Sequence, residues 1–359
     1  MNVQSSHEGN HALTNPAFQP YPRNCWYVAA GRAELGRDLL ARELLGERIV
    51  LYRKENGEPV ALQDRCPHRG YPLSKSELIG DQIQCGYHGM AFNPGGQCTH
   101  IPSQDNVVKA MRTKAYPLAE KWLWTWIWMG DPELADPSLI PSCGYEDTTE
   151  YQSRFIGCVP IKANYQMLID NLLDPTHASF LHKGGLDNDD KSELGTTAAR
   201  VEQDGPMVRQ VMEVKNFDPQ GIVAQAFQLE EGFLLNRTLI NMLQAPCFVN
   251  VITTFTDAAH PDRIVSEIIA SIPIVPAGIG RCYHFVATST SQRGFEGLGP
   301  HLLHLIDQDV VALEAIQAAS EVGADAFEMS VRSDETGVRA RRILIGMVEE
   351  EQRALQPAE

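Results

Sequence analysis

Four side chains with metal-binding chemistry occur as two mixed pairs. Cys66-Pro67-His68 is followed, after sixteen residues, by Cys85-Gly86-Tyr87-His88. Thiolates and neutral imidazoles serve both zinc and iron–sulfur centres, so residue type alone leaves both open. A structural zinc site also takes two Cys and two His, but it usually groups the cysteines together and the histidines together. Here each pair contributes one of each. Two such loops can give two thiolates to one iron of a [2Fe–2S] cluster and two imidazoles to the other, each loop supplying one ligand to each iron. Arg69-Gly70 after the first pair, and Gly86 and Gly89 beside His88, fit two loops clasping a cluster, the small residues among them being expected to let backbone amides approach the sulfides. Cys98 and His100, in the run Gln97-Cys98-Thr99-His100, imitate a third pair; with four ligands already supplied, they read as ordinary structural residues.

A second polar set runs from Asp170-Asn171 through Asp174-Pro175-Thr176-His177 to His182. Two imidazoles and one carboxylate on one face of Fe(II), with the remaining positions open, let dioxygen bind next to a substrate. Five residues turn an ideal helix by about 140°, so His177 and His182 cannot share a face of one continuous helix. The chain must distort between them, at a π-bulge or a helix end. Pro175 suits a first helical position with Asp174 as its cap, which predicts a helix restarting there. The plain alternative is a capped helix with two unrelated histidines.

The elements that position these residues divide the chain in two. Of its 359 residues, 43% are hydrophobic and 21% charged, which is globular and long enough for two domains. Tyr27 to Met129 reads as short strands broken by turns: Ile49 to Tyr52, a turn at Asn56-Gly57, Pro59 to Leu62, and a turn at Pro94-Gly95-Gly96. Trp122, Trp124, Trp126 and Trp128 fall at period two and predict four indoles on one face of a core strand. Pro132, Pro137 and Pro141 mark a break. Beyond it, Lys162–Leu173 predicts a helix; Gly232–Leu243, Val249–Thr256 and Cys282–Thr288 predict strands; and Pro300–Glu321 and Glu335–Glu350 predict long helices. The expected organisation is an arm over residues 1–21, an all-β domain over 22–135 and an α+β domain with an antiparallel sheet over 136–359.

A net charge of −16 argues against a nucleic-acid partner, which needs a concentrated basic surface. No apolar run is long enough to span a bilayer. The polar N-terminal segment reads as no secretory signal, so eight scattered cysteines predict no disulfide framework and a cytoplasmic protein. No Gly-x-Gly-x-x-Gly run opens a helix after a strand, so electrons from NAD(P)H are expected to come through another protein.

The mixed Cys/His pairs resemble the Rieske cluster. With the Asn171-x-x-Asp174-x-x-His177-x4-His182 pattern, they make the chain similar to the Rieske non-haem iron ring-hydroxylating and demethylating oxygenases. Trp26-Tyr27-Val28-Ala29, Trp126-Ile127-Trp128-Met129-Gly130-Asp131 and the segment around Asp309 resemble the vanillate O-demethylase oxygenase subgroup. The resemblance implies a helix-grip catalytic domain, one [2Fe–2S] cluster on Cys66, His68, Cys85 and His88, and one Fe(II) on His177, His182 and a distant carboxylate. The family places that carboxylate five residues before a Glu, which selects Asp309, with Asp307 as the alternative and Glu314 as a surface or subunit contact. His301 and His304, nearby, are expected to be solvated or packed. Asp174 would link His177 to a Rieske histidine, matching His88, across a homotrimer interface, and Asn171 would lie near the iron.

The implied function is the oxygenase component of a multicomponent monooxygenase. It would take electrons from a separate reductase or ferredoxin, use O2, and remove an O- or N-methyl group from an aromatic substrate. Ring or side-chain hydroxylation is the alternative within the family. From another class, the chain could be a non-catalytic Rieske electron-transfer protein; that reading leaves His177, His182 and Asp309 without a role. Asn236 and Arg237 in the run Phe233–Met242, and His284, are the candidate substrate contacts, weighed against a solvent-facing Arg237.

Overall fold

The computed structural model describes residues 21–182, 197–219, 223–224, 227–291, 298–322 and 329–355. The expected N-terminal arm lies outside the described residues except for Tyr21, which is buried. Tyr21–Ile140 with Val275–Gly278 form one compact unit; Pro141–Ile274 and the residues from Ile279 onward form another. The division at Ile140 lies beyond the residue 135 suggested by the prolines. Instead of ending all structure, Pro132 and Pro137 each open a single 3-10 turn, capped by Asp131 and Asp136. Trp26 Nε1 donates to Asp136 O at 2.8 Å, tying this stretch to the first unit.

The first unit is all-β among its described residues. Strands β1 (Trp26–Gly31), β2 (Leu40–Leu44), β3 (Glu47–Arg53), β4 (Pro59–Gln63), β5 (Glu77–Ile79), β6 (Gln82–Gln84), β7 (Ala91–Phe92), β8 (Cys98–His100), β9 (Leu118–Lys121) and β10 (Trp124–Trp128) form three small sheets, ordered β1-β10-β9, β2-β3-β4 and β5-β6-β7-β8. Trp124, Trp126 and Trp128 are buried in β10, and the indole N–H of Trp126 and of Trp128 donates to a backbone carbonyl. Trp122 departs from the predicted period. It lies in the tight turn between β9 and β10 with φ 56°, so three indoles rather than four belong to the strand.

The second unit is α+β. Strands β11 (Gln152–Ile161), β12 (Arg200–Asp204), β13 (Met207–Phe217), β14 (Leu235–Gln244), β15 (Phe248–Asp257), β16 (Ile264–Gly278) and β17 (Arg281–Thr290) form one antiparallel sheet, ordered β11-β17-β16-β15-β14-β13-β12. Helices α1 (Tyr165–Leu173), α2 (Ala178–Leu181), α3 (Leu298–Val322) and α4 (Glu335–Leu355) accompany it. Helix α1 starts three residues later than the sequence pattern suggests, because Asn164 is extended and its side chain accepts from Gln166 N–H as a cap. Helix α3 anchors this start. Glu314 Oε1 accepts from Lys162 N–H at 3.0 Å and Gln317 Oε1 from Asn164 N–H at 2.9 Å. Glu314 is half-buried at the surface, and there it ties α3 to the segment before α1. Helix α4 holds α1 from the other side, where Arg341 Nε donates to Asp170 Oδ2 at 2.9 Å.

Candidate metal centres

The two Cys/His loops share one backbone construction. Cys66 N–H donates to Tyr71 O and Gly70 N–H to Cys66 O, both at 2.8 Å; Cys85 N–H donates to Met90 O at 2.7 Å and Gly89 N–H to Cys85 O at 2.9 Å. Each loop closes on a glycine with positive φ, 76° at Gly70 and 71° at Gly89. These glycines are thus required by the turn itself. Cys66 and Cys85 are buried within the apolar cluster of the unit, His68 is half-buried, and His88 is exposed. The two imidazoles meet edge to face at 4.7 Å between ring centres. Burial pushes the Cys66 thiol up to about 11, with the adjacent Cys85 thiol adding to it. His68 Nδ1 is buried with no hydrogen-bond partner among the described residues. Two inward sulfurs, paired imidazoles and an orphaned ring nitrogen fit a [2Fe–2S] group held between the loops. Cys98 packs into the same apolar cluster and His100 is exposed, as ordinary structural residues would be.

At the second site the helix end, not a π-bulge, solves the facing problem. Asp174 N–H closes α1 on Asp170 O, and the Asp174 carboxylate then accepts from Thr176 N–H to open a 3-10 turn over Pro175–His177. Helix α2 follows, and His182 sits just past it, where the backbone has left helical geometry at φ −98° and ψ 32°. The two rings then meet at 5.1 Å.

Asp309, on α3 and buried, completes the group. Its Oδ1 lies 3.5 Å from His177 Nε2 and 3.2 Å from His182 Nε2. One ligand atom from each residue falls within 4.8 Å of the others. The opposite ring nitrogens are already engaged: His177 Nδ1 lies 2.6 Å from Asp174 O and His182 Nδ1 lies 2.8 Å from Gln308 Oε1. Carbonyl oxygens accept, so both rings carry hydrogen on Nδ1 and turn the Nε2 lone pair toward Asp309. Asn171 Nδ2 donates to Asp309 Oδ1 at 3.2 Å and orients that carboxylate. Burial lowers the His182 pKa, but the facing Asp309 carboxylate and the Gln308 oxygen outweigh it and the net shift is upward, so the site favours a positive charge at Nε2, whether a proton or a metal ion. Two lone pairs and a carboxylate converging on one point fit a divalent cation with open positions. Asp307 and His304 are exposed and lie outside this group. The side chain of His301 lies outside the described residues.

Strand alternation separates two of the proposed substrate contacts. In β14, Leu235, Arg237, Leu239, Asn241 and Leu243 face inward, and Asn236 faces the other way, accepting from Asn216 N–H at 3.2 Å. Arg237 is buried, with its guanidinium 4.7 Å from the Phe217 ring centre, so it does not face solvent. Asn236 and Arg237 therefore cannot line one pocket. His284, in β17, is 1% exposed. Two residues of the site escape the sequence patterns. Gln308 offers no signal beyond standing next to Asp309. Asn241, whose Nδ2 donates to Leu172 O at 2.6 Å, was detectable as a polar residue in the inward register of an alternating strand.

Comparison with known proteins matches both halves of the chain. Residues 25–117 match the Rieske [2Fe-2S] domain, and residues 161–350 match the vanillate O-demethylase oxygenase C-terminal domain. The chain is 42% identical to the toluene-4-sulfonate monooxygenase system iron-sulfur subunit of Comamonas testosteroni over 173 residues, 48% of this chain and 50% of that protein. It is 40% identical to the oxygenase component of dicamba O-demethylase from Stenotrophomonas maltophilia over 170 residues, 47% and 50% of the two chains. The chain thus spans about half the length of the curated relatives it matches. The crystal structure of dicamba monooxygenase bound to 3,6-dichlorosalicylic acid superposes with a TM-score of 0.85 at 26% identity, covering 94% of this chain and 99% of that one. A further structure of that enzyme contains non-haem iron and dicamba. With a Rieske domain followed by a matched catalytic domain over more than half its length, the chain belongs to the vanillate O-demethylase-type family of Rieske non-haem iron oxygenases.

Proposed function

We propose that the chain is the oxygenase component of a multicomponent monooxygenase that removes an O- or N-methyl group from an aromatic substrate. The observation that carries this reading is the convergence of His177 Nε2, His182 Nε2 and Asp309 Oδ1 in a chain that also carries a Rieske domain. The mononuclear iron, when bound, supplies dioxygen activation. One oxygen atom enters a methyl C–H bond; the other leaves as water with two electrons and two protons. The resulting hemiacetal or carbinolamine breaks its C–O or C–N bond to release formaldehyde and the demethylated ring. His177, His182 and Asp309 hold the iron, and Asn171 orients Asp309. Cys66, His68, Cys85 and His88 hold the cluster. Asp174, whose backbone carbonyl already fixes His177, links that ring to His88 of a neighbouring copy in a homotrimer. A separate reductase or ferredoxin supplies the electrons. Among the described residues no helix is long and apolar enough to cross a membrane, and a cytoplasmic location belongs to the same proposal.

Hydroxylation of a ring or side chain is a second reading, favoured by the toluene-4-sulfonate relative, whose named compound has neither an ether nor an N-methyl group. A single-turnover assay separates the two. Metal-replete, chemically reduced protein is mixed with dioxygen and a panel of methoxylated and N-methylated aromatics. Formaldehyde in proportion to a demethylated product supports demethylation; hydroxylated product without formaldehyde replaces it with the second reading.

A further inference from the structure

His284 stands in β17 opposite Val159 of β11, on strands that α1 and α3 pack against. Its side chain is enclosed, yet neither ring nitrogen has a hydrogen-bond partner among the described residues. A neutral imidazole always has one N–H to donate, and leaving it unmet in a dry interior opposes folding. The neighbouring positions Phe285 and Val286 show what this core otherwise carries. Other buried polar side chains of the same unit keep at least one partner within the chain, even where a second atom is unmet: Tyr145 with Ser271, Gln166 with Asp170, and Gln210 with Thr336. His284 differs in that both polar atoms of its side chain are unmet among the described residues.

The exception sits beside the metal site. Helix α1, which carries Asn171, packs against β17 itself, and α3, which carries Asp309, packs against the paired strand β11. Two further orphaned atoms lie on the elements around the triad. Asn171 donates to Asp309 and Asn241 to Leu172 O, but the Oδ1 of each has no partner among the described residues. Burial holds the His284 pKa down at about 4, so the ring is neutral at physiological pH and offers one N–H. The complement of such a donor is an acceptor such as an oxygen atom; a hydrocarbon or cationic group would leave it unmet.

We propose that His284 is the polar anchor of the substrate site, donating its ring N–H to an oxygen substituent on the aromatic ring that is oxidised at the neighbouring iron. This rests on the oxygenase reading and adds to it a substrate class: oxygen-substituted aromatics are preferred over their deoxy analogues.

The test compares wild type, His284→Phe and His284→Gln as full-length protein loaded with cluster and iron. Phenylalanine keeps a ring and removes both nitrogens; glutamine keeps an N–H donor. In thermal unfolding, His284→Phe is expected to match or exceed the wild-type Tm, since no group of the chain loses a partner. A lower Tm that His284→Gln restores would overturn the proposal by revealing a hydrogen bond within the protein. Iron content is expected to be unchanged in both variants, and its loss would also overturn the proposal, in favour of a role at the metal. Turnover is then read on 2-methoxyphenol against methoxybenzene. Wild type is expected to favour the former by about three- to tenfold in kcat/KM, the worth of one neutral hydrogen bond. That preference should vanish in His284→Phe and return in His284→Gln; equal losses on both probes would overturn the assignment. If wild type turns over neither probe, demethylation of such ethers fails as a function, and the unfolding and iron measurements still decide the role of His284.

Discussion

Gln308 Oε1 lies 2.8 Å from Nδ1 of His182, while Oδ1 of the next residue, Asp309, lies 3.2 Å from Nε2 of the same ring. Consecutive residues of α3 therefore hold one imidazole at both nitrogens, fixing its tautomer and aiming its lone pair. Gln308→Leu removes the outer contact without touching a ligand atom. It is expected to weaken Fe(II) binding by about 10- to 100-fold, the usual effect of losing such a support, while the visible absorbance of the cluster stays unchanged. Fe(II) titration of protein stripped of its mononuclear iron measures this, and wild-type affinity in the variant would remove Gln308 from the site.

Asp174 has two roles that one substitution can separate. Its carboxylate caps the turn carrying His177, and its charge is proposed to couple that ring to a Rieske histidine. Asparagine caps about as well as aspartate. Asp174→Asn is therefore expected to keep both metals and the wild-type Tm but to slow reoxidation of the reduced cluster by dioxygen and substrate about 10- to 100-fold. Rapid mixing followed at the cluster absorbance reads this directly. Normal reoxidation would show that the residue is a cap and no more.

The candidate metal-binding residues were legible because their chemistry is rare and their spacing is local: Cys66 with His68, Cys85 with His88, His177 with His182. The break between His177 and His182 was legible too, since helical geometry forbids them a common face and Asp174-Pro175 reads as a restart. What could not be read depends on contacts between distant segments. The tie that Glu314 makes to Lys162 N–H appears only once α3 is seen against the start of α1. Asn236 and Arg237 are adjacent in the chain, and only the placement of β14 shows which of them faces α1. Trp122 kept the period of its neighbours while lying in a turn, because a two-residue loop does not disturb the alternation of residue types.

Gly337, on α4, lies directly against α1. A Cβ there would come within 2.8 Å of Asp170 Oδ1, the carboxylate that Arg341 holds. Gly337→Ala is expected to cost about 1–3 kcal/mol of stability by overpacking this contact. It should also disturb α1, which carries Asn171 and ends at Asp174. Urea unfolding together with iron content checks both effects. A variant with wild-type stability would mean that Asp170 can move aside freely.

The buried imidazole of His284 makes a prediction about acid. In the unfolded chain this group titrates near 6.5, and burial lowers it to about 4 in the folded protein. Between those values the unfolded state binds the extra proton, so stability must rise with pH across the window. The contribution is fully present above 6.5 and is lost as pH falls toward 4, where it amounts to about 3 kcal/mol. His284→Phe lacks the group and should lack that part of the slope. Comparing urea midpoints of variant and wild type at pH 7 and pH 5 isolates the effect, because the other titrating groups are common to both proteins. The stability advantage of the variant is expected to grow at the lower pH. A difference that stays constant between the two conditions would mean that the ring reaches a proton donor or acceptor in the folded state, and with it the case for a dry, unpartnered histidine would fall.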